Sequence, residues 1–263
     1  MMDEVCRKVT LPIGLLHEGK RCREATIGPL SGKSLMQARS FASNRRIDPR
    51  LFIAILKDGL REIEGVPAVS DDVIRRLSWA DAQFIFWQMA LIEAELAEEE
   101  PKVSRTCPSC GERVDFPVDL KSLEVKKIED IEGLDPDGLL PFKLRVPITT
   151  LDPQRTPYQE GRMGFLTVDD QLKLFNMGED LGRITLHALA MAIAELGPVT
   201  KGQLSYSDLL ELPAAEIKRL ERLYNEHEPG VTPPSEGICP RCGAEVVFDP
   251  PVDFVADFLL FTR

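Results

Sequence analysis

Cys107-Pro108-Ser109-Cys110-Gly111-Glu112-Arg113-Val114-Asp115-Phe116 and Cys239-Pro240-Arg241-Cys242-Gly243-Ala244-Glu245-Val246-Val247-Phe248 are near copies of one another. Each is a C-P-x-C-G knuckle followed by a run that alternates as a strand does. A tetrahedral metal ion takes four ligands, and one C-x-x-C supplies two. Two half-sites in one chain therefore predict a shared structural zinc on Cys107, Cys110, Cys239 and Cys242. A redox C-x-x-C is expected ahead of a helix N-terminus, which lowers the thiol pKa. Here strand-like residues follow instead, and the glycine after each second cysteine suits a turn with positive φ. A redox or disulfide pair, unmetallated core thiols, and two half-sites completed by a partner chain are the competing readings. His17, His187 and His227 lack knuckle spacing, and Cys6 and Cys22 read as reduced packing residues.

Working outward, landmarks recur in the same order before each knuckle. Leu11-Pro12-Ile13 resembles Val146-Pro147-Ile148, and Ile27-Gly28-Pro29-Leu30-Ser31 resembles Met163-Gly164-Phe165-Leu166-Thr167. Gly65-Val66-Pro67 answers Gly197-Pro198-Val199. This predicts an α+β fold made of a duplicated module. Each half holds a short β-hairpin, a small helical bundle and a knuckle with strands. The expected boundaries are 1–120 for the first module, 121–141 for a charged linker around Asp135-Pro136-Asp137-Gly138, and 142–263 for the second.

Within each half the pattern predicts a hairpin over 9–27 or 142–165, then a short helix over 35–42 or 168–177. Ser31 and Thr167 are the candidate N-caps, with Asp170 completing a variant capping box. The next helix starts at Asp48-Pro49 and carries Phe52, Ile55, Leu56, Gly59, Leu60 and Ile63 on one stripe, ending at Gly65 and Pro67. Its counterpart spans 184–196. A third helix follows Ser78, with Asp81 three residues on, and runs to Ala97. It is apolar on more than one face, which predicts core and in part a partner surface. Its counterpart is 213–224. The apolar tail from Val252 to Phe261 reads as a final strand or a docking segment.

The 263 residues carry a formal net charge of -11, which argues against nucleic acid, since phosphate binding needs clustered Lys and Arg. No apolar run is long enough to span a bilayer. Met1-Met2-Asp3-Glu4 carries no signal-peptide core, so an intracellular protein is expected. Gly28-Pro29-Leu30-Ser31-Gly32-Lys33-Ser34 imitates a phosphate loop but has one residue too few before Gly-Lys-Ser. The matching stretch in the second half puts Asp169 and Asp170 where Lys and Ser would stand. No catalytic constellation is evident, and a zinc ringed by four thiolates is structural. A non-enzymatic protein without a small-molecule substrate is the expectation.

The Leu11-Pro12 segment, the two knuckles and the Phe-rich end resemble the baseplate hub assembly chaperones of T-even-type contractile-tailed phages. Related tail proteins occur in prophages and contractile injection systems. The resemblance spans about Val9 to Phe261. It implies an assembly factor in the host cytoplasm that contacts baseplate or tail hub proteins, and some relatives stay in the finished particle. The Trp79–Ile92 helix and the Phe254–Phe261 tail are the expected partner strips. A zinc-ribbon nucleic-acid or transcription adaptor is the alternative.

Overall fold

The computed structural model describes residues 5–34, 36, 49–98, 102–117, 121, 123–149, 151, 153–175, 177, 181–232 and 236–247. Apart from Met36, the expected helix over 35–42 lies outside these, as does the tail over 252–261. The protein is mixed α+β, with several small sheets and helices. It divides into two compact units, residues 1–126 with 230–263, and residues 127–229. These units do not follow the two sequence halves, because the second knuckle belongs to the first unit.

Strands β1 (Arg7–His17) and β2 (Lys20–Ile27) form the first hairpin. Glu18 and Gly19 both have positive φ at its tip, the backbone that a two-residue hairpin turn demands. Pairing slips between Thr10 and Leu15, which face Glu24 and Cys22. Leu11 to Gly14 therefore bulge from the ladder, and their backbone groups need other partners. Arg23 Nε donates to Leu11 O at 2.8 Å, while the buried Asp81 carboxylate accepts the N–H groups of Ile13 and Gly14.

Helix α1 (Pro49–Gly59) stops at its glycine, and β3 (Leu60–Ile63) continues straight from it to pair with β2. The helix expected to reach Ile63 is thus shorter than its apolar stripe. Helix α2 (Asp71–Arg76) starts on Ser70, whose Oγ accepts the Val73 N–H. Helix α3 (Trp79–Ala97) starts on Ser78 in the same way, through the Asp81 N–H. An all-round apolar helix must be covered on all sides. Trp79, Phe84, Trp87 and Leu91 are all buried, and Phe52 stacks on Trp79 with ring centres 5.1 Å apart. The strip expected to face a partner is therefore interior. Strands β4 (Lys102–Thr106) and β5 (Arg113–Pro117) carry the first knuckle between them, and β6 (Val125–Lys126) closes this stretch.

The second unit contains β7 (Leu140–Ile148), β8 (Tyr158–Met163), α4 (Val168–Phe175), α5 (Leu181–Ala192), β9 (Ile193–Leu196), β10 (Val199–Thr200), α6 (Tyr206–Leu209) and α7 (Ala214–His227). Its sheet order is β10-β9-β8-β7. Here too the expected helix to Leu196 ends early and its last residues are a strand. Pairing of β7 with β8 slips between Lys143 and Ile148, opposite Glu160 and Tyr158. Buried Glu216 accepts the Arg145 N–H at 3.1 Å, and Arg219 donates to both Glu216 and Lys143 O. The core gathers Leu140, Phe142, Leu144, Met163, Leu189, Ile193, Leu196 and Leu220. The Asp135–Gly138 segment forms the turn that its sequence predicts. Asp135 Oδ1 accepts the N–H groups of Asp137 and Leu139, and Arg162 from β8 donates to both Asp135 and Asp137.

The chain rejoins the first unit at β11 (Gly230–Val231). Gly230 pairs with Lys126 and Val231 with Val125, so the strand that left the unit receives the strand that returns. Strands β12 (Glu236–Ile238) and β13 (Glu245–Val247) then flank the second knuckle.

Candidate metal centre

Each knuckle is the turn of a two-stranded ribbon, and the two turns have matching backbones. Cys107 N–H donates to Glu112 O at 2.9 Å and Gly111 N–H to Cys107 O at 2.9 Å. Cys239 N–H donates to Ala244 O at 2.8 Å and Gly243 N–H to Cys239 O at 2.9 Å. Gly111 and Gly243 sit at φ 72° and 74°. That is the left-handed region, where a side chain is strained. The two cysteines of each pair are thereby held on one side of a rigid loop.

The fold brings all four predicted ligands together. Their sulfurs lie within 4.8 Å of one another, with Cys107 Sγ 3.6 Å from Cys242 Sγ and Cys110 Sγ 4.0 Å from Cys239 Sγ. A disulfide would need about 2.05 Å. Four sulfurs each about 2.3 Å from a central tetrahedral ion stand about 3.8 Å apart. The donor set therefore fits one metal ion, and the chemistry of a sulfur tetrahedron suits zinc or iron. Cys107 and Cys239 are buried, whereas Cys110 and Cys242 reach the surface.

The local electrostatics suit a cation. The Cys107 thiol is pulled down to about 7, first by the Cys110 N–H directed at its sulfur and then opposed by burial. Cys110 is held up at about 11. The Glu112 N–H favours its thiolate, but burial and the three neighbouring thiols together outweigh that. Four thiols this close cannot all ionise without a positive charge among them. A divalent ion supplies that charge. Outside the sulfur shell, Arg241 of one knuckle pairs with Glu112 of the other at 2.9 Å. Sequence reasoning missed this pair, since nothing in either residue's neighbourhood announces it.

Other sequence-level candidates resolve into structure. In the phosphate-loop imitation, Gly28 N–H donates to Gly59 O, Leu30 N–H to Glu93, Ser31 N–H to Asp58, and Ser34 N–H to Ser31 Oγ. Two of these amides are engaged by carboxylates from α1 and α3, whose negative charge would repel a phosphate. Among the described residues, the four cysteines are the group that could hold a metal, and no helix is long and apolar enough to cross a membrane. Comparison with protein-family models, curated proteins and solved structures returns no match.

Proposed function

We propose that Cys107, Cys110, Cys239 and Cys242 hold one structural zinc ion, and that the protein is a non-enzymatic binding component of contractile-tail or injection-system assembly. The observation that carries the first part is the packing of four sulfurs within 4.8 Å. Thiolates would fill all four positions of the ion, leaving none open for substrate or water. Zinc is preferred to iron because a closed set of four cysteines is a common structural zinc site.

The ion would close the first unit at the place where sequence continuity is lost. β4–β5 precede the second unit and β12–β13 follow it, so the metal ties together segments separated by residues 127–229. Binding energy at such a site doubles as folding energy.

The duplication rests on shared local detail. In each half, four residues of the first strand lie opposite one of the second. In each, the second strand meets the third with the same slipped register. Gly28 N–H reaches Gly59 O, and Gly164 N–H reaches Ala192 O. In each, an acid in the first turn of the last helix, Asp81 or Glu216, receives a bulge amide. This match sets Leu11 opposite Leu144 and shifts the Leu-Pro-Ile correspondence by two residues.

The assembly role rests on the family resemblance together with a site that has no open chemistry. Two measurements test the proposal. Elemental analysis of reduced protein is expected to find one zinc per chain. Co-expression with baseplate and tail hub proteins is expected to yield a stable complex. Failure to co-purify with any of them would remove the assembly role and leave the metal assignment standing.

A further inference from the structure

We propose that the outward face of the β12–β13 ribbon docks an extended segment of a partner protein that presents apolar and basic side chains together. The pairing of Glu236 with Val247 and of Ile238 with Glu245 puts these four side chains on one face. Gly237 and Val246 occupy the other, where Val246 is buried. Ile238 is 66% exposed and Val247 73% exposed. They form one diagonal of a checkerboard, and the two glutamates form the other. The Glu245 side chain, by hydrogen bond and then by charge, raises the pKa of Glu236.

The β4–β5 ribbon is the internal control. Its outward positions Thr106, Arg113 and Asp115 are exposed and of mixed polarity, which is an ordinary solvated face. The β12–β13 face instead shows two large aliphatics beside two acids that have no basic partner among the described residues.

Charge selects the occupant. The chain's own tail carries Asp253 and Asp257 beside its aromatic residues, so it would bring further negative charge to the glutamates. A second copy would oppose acid to acid, within a protein already at -11. A segment that alternates an aliphatic with Lys or Arg matches both diagonals at once. A patch of four side chains corresponds to a small, exchangeable contact.

This surface rests on the ion-closed ribbon proposed above, so metal content is measured in every sample. The probe is a fluorescein-labelled repeat of Val-Ser-Lys-Ser, titrated into the full zinc-loaded chain and followed by anisotropy. Repeats of Val-Ser-Glu-Ser and Ser-Ser-Lys-Ser are the controls. The first peptide is expected to bind at least about tenfold more tightly than either control. Ile238→Ser with Val247→Ser, and separately Glu236→Gln with Glu245→Gln, are expected to abolish that preference at unchanged zinc content. Equal binding of all three peptides overturns the proposal, as does unchanged binding in both double variants with full zinc. A chain that sediments as a dimer through this face also overturns it. Loss of zinc in the wild-type chain instead counts against the metal reading.

Discussion

Asp81 lies at the start of α3, yet its carboxylate ends on β1, accepting the Gly14 N–H at 2.9 Å and the Ile13 N–H at 2.8 Å. The group is fully buried, and burial raises its pKa, against the pull of both amides and of Ser78. Its stabilising work is to satisfy two amides that the bulge takes out of the sheet. Asp81→Ala would strand both in an apolar interior, at a loss of about 2–4 kcal/mol. Asp81→Asn keeps one acceptor and is expected to lose less. Urea unfolding of the two variants, followed through Trp79 and Trp87 fluorescence, checks the order. Equal stability of wild type and Asp81→Ala would rule the clamp out.

Metal retention separates ligands from bystanders. Cys107→Ser and Cys242→Ser are each expected to drop bound metal below about a tenth of the wild-type level, since a three-thiolate remnant loses both charge and geometry. Cys6→Ser and Cys22→Ser, which belong to no sulfur cluster, are expected to keep it. Metal content by mass spectrometry after gel filtration distinguishes the two sets. Retention by all four variants would remove the site.

Acid should weaken the second unit through Asp135. The Leu139 N–H, and after it the Arg162 guanidinium, hold its carboxyl below the usual carboxylate range. A depressed folded pKa stabilises above the unfolded value of about 3.9, and the contribution disappears as pH falls through the folded pKa. Stability should therefore decline below about pH 4. Asp135→Asn should be less stable at neutral pH and show a flatter acid limb. Denaturant midpoints from pH 3 to 7 check both signs. An unchanged acid limb in Asp135→Asn would show that the carboxylate contributes nothing.

Much of this was legible in the sequence, and the failures have physical causes. The knuckles were readable because spacing, proline and glycine fix a turn almost by themselves. The N-caps Ser78 and Thr167 were readable for the same local reason. Leu60 and Ile63 misled because both point inward at a spacing of three. That spacing normally marks a helix, but here a register slip opposite Ile27 and Thr26 produces it in a strand. The pairing of Lys126 with Gly230 left no local trace, since long-range strand partners are not encoded by either neighbour alone. The interior position of α3 follows from the sheet and helices packed around it, which composition does not reveal.

Two glycines with similar backbones should respond differently to the same change. Gly14 has φ 82°, and an added Cβ would meet Cys22 O at 2.6 Å as well as the Arg23 side chain. Gly111 has φ 72° with nothing within 4 Å of that position. Gly111→Ala should therefore lose only the conformational strain, about 1 kcal/mol. Gly14→Ala adds backbone overlap and should lose clearly more. Thermal midpoints of the metal-loaded proteins compare them, and equal shifts would mean that the Cys22 carbonyl yields freely.

Gly59 tests how the helix-to-strand junction is built. It is the last residue of α1, and a Cβ there would overlap the thioether of Met89, a fully buried side chain of α3. Its carbonyl also accepts the Gly28 N–H at 2.8 Å, so the backbone cannot simply back away. Gly59→Ala should be destabilising by about 1–3 kcal/mol, the range for overpacking a core. Met89→Ala alone should also be destabilising, because it opens a cavity. In the double variant the added methyl enters the space that Met89 vacates, so the two losses should not add. A double-mutant cycle in urea reads the difference. Strict additivity would mean that α1 and α3 adjust independently, and that the helix ends at Gly59 for reasons other than the approach of Met89.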